Sequence, residues 1–133
     1  MSADVRQKRG NMKRDLDLIR LILTDLEEAS PGEIIEDAKY HEKYDGAVVR
    51  EHMRPLIEGE LAKGRIQSDR GKVSYVSLER LTVKGHDFIS VAQDDSLWKK
   101  AKESILKPGV SFTFDLLLEW LKKKAQEKFG LPF

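Results

Sequence analysis

From Met12 to Glu28 the apolar residues Leu16, Ile19, Leu23 and Leu26, joined by Leu18 and Ile22, recur every three or four positions, the period of a helix that buries one face. Ser30-Pro31-Gly32 stops it, because proline lacks a donor and glycine frees the backbone. Residues 33–36 are too few for a helix and read as a strand or extended connector, leading into a polar stretch from Asp37 to Tyr44. A second helical period begins at Asp45, a candidate N-cap, and carries Val49, Met53, Leu56, Ile57 and Leu61 along one side as far as Lys63-Gly64. Arg50, Arg54 and Glu58 lie opposite at four-residue steps. Pro55 interrupts this pattern and predicts a kink or two short helices.

The pattern then changes to alternation. Residues 66–68, a turn at Asp69-Arg70-Gly71-Lys72, and residues 73–78 read as strand, turn and strand with charges at the bend. Thr82 is a candidate cap for a helix from Val83 to about Gln93. Asp94-Asp95-Ser96 caps another, whose stripe of Leu97, Trp98, Ala101 and Ile105 runs to Lys107-Pro108-Gly109. The last helix, from Ser111 to Phe129, places Phe114, Leu117, Leu118, Leu121 and Ala125 on one face, widened by Leu116 and Trp120. The predicted class is mainly α with a small β-hairpin, an α+β chain. The expected organisation is a flexible lead over 1–11, a domain over 12–93 and a C-terminal helical extension over 94–133 packed on the core.

Composition narrows the field. The chain has 133 residues, 40% hydrophobic and 35% charged, which suits one small core with a heavily charged surface. No cysteine is present, so disulfides, thiolate metal sites and a cysteine nucleophile are excluded. No apolar run approaches the roughly 20 residues that cross a bilayer, and the basic start leads into no signal-type stretch, so a cytoplasmic location is expected. Lys and Arg number 24 against 23 Asp and Glu, but the balance is uneven. Residues 64–85 hold Arg65, Arg70, Lys72, Arg80 and Lys84 against only Asp69 and Glu79, whereas residues 31–63 are acidic.

Helix, short extended piece, second helix, hairpin with a basic tip, then a helix opening Leu-Thr-x-x-Gly: this order resembles a winged helix, whose helix before the hairpin enters the major groove while the hairpin reaches the backbone. Arg50 and Arg54, one turn apart, present planar forks of donors suited to base edges or phosphates, and Arg65, Arg70 and Lys72 are suited to phosphate charge. The plainer account is that Arg50, Glu51, Arg54 and Glu58 form a solvated face with intrahelical ion pairs. His41, His52 and His86 are too scattered for a zinc site, and Asp94-Asp95 is better read as helix capping than as a cation site. No phosphate loop, dinucleotide fingerprint or nucleophile elbow occurs. No enzyme activity and no cofactor are therefore expected.

A wider resemblance rests on Met12-Lys13-Arg14-Asp15-Leu16-Asp17-Leu18-Ile19-Arg20, on His52-Met53-Arg54 with Leu56, on Arg80-Leu81-Thr82-Val83-Lys84-Gly85-His86-Asp87-Phe88-Ile89 and on Asp94-Asp95-Ser96-Leu97-Trp98-Lys99-Lys100. Over residues 12–131 the chain resembles domain-of-unknown-function family 2513, short proteins of bacteria, phages and prophages. The resemblance implies a winged-helix-like fold and a domain starting near Met12, but no biochemical activity. The sequence departs from the family pattern at Pro55 and at Glu60-Leu61-Ala62, where a Gly-Leu-Ile turn commonly ends the helix. Two functions are expected in order: a non-catalytic double-stranded DNA binder using Arg50, Arg54, Arg65, Arg70 and Lys72, and a protein-interaction module on the same scaffold. A homodimer through the last helix is the expected assembly, from the width of the apolar run at Leu116 to Leu121.

Overall fold

Asp15 sets where the first helix begins, because its backbone is extended and its carboxylate accepts the Leu18 N–H at 3.0 Å. In the computed structural model, which describes residues 14–105 and 113–130, that helix is α1 (Leu16–Glu28). It is followed by β1 (Ile35–Glu36), a 3-10 turn (Asp37–Tyr40), α2 (Gly46–Glu58), β2 (Ala62–Asp69), β3 (Lys72–Leu81), α3 (Val83–Ala92), α4 (Asp95–Ser104) and α5 (Phe114–Phe129). The architecture is mixed α and β: five helices and a three-stranded antiparallel sheet in the order β1-β3-β2 among the described residues. The lead and the Lys107-Pro108-Gly109 break lie outside the described residues, and the last helix, expected from Ser111, begins instead at Phe114 behind the extended N-cap Thr113.

The chain divides into two compact units, one ending at Gly85 and one beginning at His86. In the first unit Leu18, Ile19, Ile22, Leu23 and Leu26 of α1 and Val48, Val49, Met53 and Leu56 of α2 are buried, as the helical period requires. Both helices pack on β3, whose Val76 and Leu78 are also buried. In the second unit Phe88 of α3 meets Trp98 and Phe114 edge to face, with ring centroids 6.4 and 5.9 Å away.

Two expectations about α2 are corrected. It forms one helix through Pro55 rather than two, and it ends at Glu58, five residues before Lys63. The end is a Schellman motif: Leu61 N–H reaches back to Leu56 O at 2.8 Å and Glu60 N–H to Ile57 O at 3.0 Å. Glu60 therefore adopts φ 62°, the left-handed conformation usually given to glycine. Leu61, with Leu56, is fully buried, so the apolar residue that seemed to prolong the helix instead closes it.

The Leu-Thr-x-x-Gly block completes this junction. Thr82 Oγ1 donates to Glu60 O at 2.6 Å and accepts Gly85 N–H at 3.0 Å, Thr82 N–H donates to Leu61 O at 3.0 Å, and Lys84 Nζ donates to Gly59 O at 3.0 Å. The carbonyls left over where α2 ends are thus satisfied by the segment that starts α3. A Cβ on Gly85 would lie 2.0 Å from Leu61 O, so only glycine allows the approach.

Candidate functional site

Asp37 is the residue from which the face of α2 and the hairpin is built. β1 pairs with β3 only at Ile35 with Leu78 and Glu36 with Ser77, which leaves the β1 side of β3 open toward the hairpin tip. Side chains take over there. Asp37 Oδ1 accepts the Val76 N–H at 3.1 Å, and Arg50 Nε donates to Val73 O at 3.2 Å. The two side chains are themselves joined, Arg50 Nη1 to Asp37 Oδ2 at 3.1 Å, and His41 Nε2 lies 2.9 Å from the same oxygen. Asp37 is only 3% exposed, so an acid buried at the sheet edge is held by a guanidinium, an imidazole and a backbone amide.

Arg50 is therefore a strut between α2 and β3, not an outward donor. Arg54 is turned outward but is held between carboxylates, with Nε 3.0 Å from Glu58 and Nη1 3.5 Å from Glu51. Glu58 first, then Glu51, favours its charged form. The solvated, ion-paired face is the arrangement found for Arg54, and Arg50 is bound more deeply than either account expected.

The hairpin turns on two residues, Arg70 and Gly71, at φ 53° and 81°, the pairing of positive angles that defines a type I′ turn. Arg70 and Lys72 are exposed at this tip, and Arg65 stands on β2 with its side chain 74% exposed, 3.8 Å from Glu79. On the outer face of the sheet, Ile34, Arg65, Gln67, Tyr75, Ser77 and Glu79 surround a shallow depression of about 410 Å³. The five residues singled out in the sequence thus separate: Arg65, Arg70 and Lys72 project from the hairpin, while Arg50 and Arg54 are engaged by acids on or beside α2.

Three residues of this region carry more than their sequence pattern suggests. Asp37 and Tyr40 lie in a stretch that reads as polar, yet both are buried, and Tyr40 Oη donates to Asp25 Oδ2 at 2.8 Å. Burial, followed by that hydrogen bond, pushes the phenol well above its ordinary range. His52 is 3% exposed, with Nδ1 2.7 Å from Val48 O and Nε2 accepting the Asp15 N–H at 2.7 Å. The tautomer with its proton on Nδ1 satisfies both bonds, which makes His52 the tie between α2 and the start of α1. The usable signal for Asp37 was its place four residues before His41, a helical step on an otherwise irregular segment. Among the described residues, no group of three His, Asp or Glu is placed to hold a metal ion, and no helix is long and apolar enough to cross a membrane.

The family model described as "Hypothetical protein (DUF2513)" matches residues 13–111. An "Uncharacterized protein" of Haemophilus influenzae (strain ATCC 51907 / DSM 11121 / KW20 / Rd) is 31% identical over 117 residues, covering 86% of this chain and 93% of the relative. No solved structure matches.

Proposed function

The chain belongs to the DUF2513 family, whose description carries no activity, and from that premise we propose that residues 14–85 are a winged-helix-type module that binds a protein partner and performs no chemistry. The scaffold reading is supported by the succession of helix, short strand, 3-10 turn, helix and hairpin, and by the strand order β1-β3-β2, which sets α2 beside the hairpin. The choice of partner rests on one observation: the cations of α2 are already matched by acids. Arg50 is anchored to Asp37, and Arg54 lies between Glu51 and Glu58. A phosphate backbone approaching that face would meet two carboxylates for one outward guanidinium, already paired with both. Residues 14–85 as a whole carry twelve Lys and Arg against fifteen Asp and Glu.

The test is anisotropy of a labelled random duplex titrated with the full chain at low and at physiological salt. The expected result is no saturable binding tighter than about 10⁻⁴ M, the weak end of non-specific affinity. Micromolar binding that collapses with salt overturns the reading. In a separate experiment, a photo-crosslinker placed at Ala47, exposed on the outer side of α2, should yield one discrete protein adduct in cells.

One observation favours duplex DNA instead: the hairpin carries Arg65, Arg70 and Lys72 in the open. On that reading the hairpin alone grips phosphates. Arg70→Ala with Lys72→Ala would then lower the salt slope by about 0.9 per lost contact, and an unchanged slope excludes the hairpin.

A further inference from the structure

The second unit contains a groove between α4 and α5 that the face described above does not use. Its α4 wall is Leu97, Lys100 and Ser104, and its α5 wall is Trp120, Lys124, Glu127 and Lys128, around a volume of about 360 Å³. The helices run antiparallel: Lys128, near the end of α5, bonds to Asp94 at 3.1 Å and to the Ser96 hydroxyl at the start of α4. Leu97 to Ser104 spans seven residues, about 10 Å of helix at 1.5 Å each, the length of roughly three extended residues.

The chemistry of the groove is one-sided. Lys100 is exposed and makes no ion pair or hydrogen bond among the described residues. Trp120 is half-buried, and its indole N–H has no partner among them either. Lys124 sits 3.3 Å from Glu127 and 5.8 Å from the centre of the Trp120 ring. An exposed pair such as Lys124–Glu127 is worth only a few tenths of a kcal/mol, so its ammonium can turn to a stronger acceptor. Donors therefore outnumber acceptors along a straight, shallow track, and what fits is a chain bearing carboxylates.

We propose that this groove binds an acidic, extended peptide segment of a partner protein, with Lys100 and Lys124 taking successive carboxylates and Trp120 packing against the peptide backbone. One feature favours a peptide over a nucleotide. The cations on the walls are all lysines, point charges without the bidentate fork that arginine offers to phosphate. The site lies wholly beyond Gly85 and does not depend on the reading of the first unit.

The experiment titrates the full chain with a capped octapeptide of alternating Asp, Glu and Ser and with its Asn and Gln counterpart. Calorimetry and tryptophan emission follow the binding. The second tryptophan, Trp98, is 1% exposed, so an emission change reports Trp120. The acidic peptide should saturate below about 1 mM, weaken several-fold between low and physiological salt, and lose about fivefold with Lys100→Gln and more with Lys124→Gln added. Trp120→Phe should abolish the optical change while heat is still released. The proposal is overturned if neither peptide binds, if the amide peptide binds equally, if Lys100→Gln changes nothing, or if a single-stranded oligonucleotide of the same charge binds more tightly.

Discussion

Asp37 shows how one side chain fixes the relation of a helix to a sheet. It stands in for a missing β1 residue opposite Val76 and at the same time holds Arg50, which itself bonds Val73. Removing the carboxylate strands a half-buried guanidinium and a buried amide together, so Asp37→Ala should cost about 2 kcal/mol in urea unfolding at neutral pH. Asp37→Asn keeps an oxygen for the Val76 amide and should cost clearly less. Equal losses for the two variants would mean that the charge, not the edge bond, carries the effect. Glu60 is the opposite case, a residue working against its own backbone. At φ 62° it takes the C′ position of the Schellman turn, and Glu60→Gly relieves a left-handed strain of about 1–2 kcal/mol, less what glycine adds to the freedom of the unfolded chain. The expected net gain is about 1 kcal/mol, read as a raised urea midpoint at unchanged slope.

Helices were legible because their signals are local. Asp45 and Asp94 were readable as caps, each accepting an amide within the next three residues, whereas Asp15 and Thr113, which do the same for α1 and α5, stand inside stretches that the apolar period alone assigns to those helices. What could not be read from neighbours is whatever depends on residues far along the chain. β1 has two residues and exists through Leu78 and Ser77, and Tyr40 is buried by its link to Asp25. Leu61 extended the helical period of α2 but is drawn into the turn that ends it. The candidate site was half legible for the same reason. The hairpin tip follows from Arg70-Gly71, whereas the capture of Arg50 requires Asp37 and Val73 on other elements. Of the caps, Asp94 gives the clearest pH signature. The Leu97 amide first, then the Ser96 hydroxyl and Lys128, hold its carboxyl at about 2 against an ordinary 3.8. Its contribution is complete above 3.8 and is lost as the pH falls toward 2. Asp94→Ala should cost about 1 kcal/mol at pH 6, the worth of an N-cap, and the gap between variant and parent should narrow in urea midpoints taken at successively lower pH. A gap that widened toward acid would contradict this assignment.

Assembly is decided at the scale of the whole molecule by how much apolar surface remains outside. The run from Leu116 to Leu121 is wide enough on a helical wheel to suggest a dimer seam, but Leu117, Leu118 and Leu121 are buried within the chain itself. Leu116, 53% exposed, and Phe129, 49% exposed, are the large apolar side chains of α5 left largely open. They stand thirteen positions apart, about 20 Å along the helix, and charged residues including Lys123 and Glu127 lie between them. Leu21 on α1, Ile34 just before β1 and Val83 at the start of α3 are open as single residues. A stable dimer buries about 1,200–2,000 Å² with a contiguous apolar centre, and among the described residues the two separated side chains of α5 supply a small fraction of that. The expected state at micromolar concentration is therefore a monomer by light scattering, at 15.3 kDa, rather than the dimer that the sequence pattern suggested. A mass near twice that value, abolished by Leu116→Lys, would show that α5 pairs after all. If the mass doubled without sensitivity to Leu116, the seam would have to lie on a surface other than this helix.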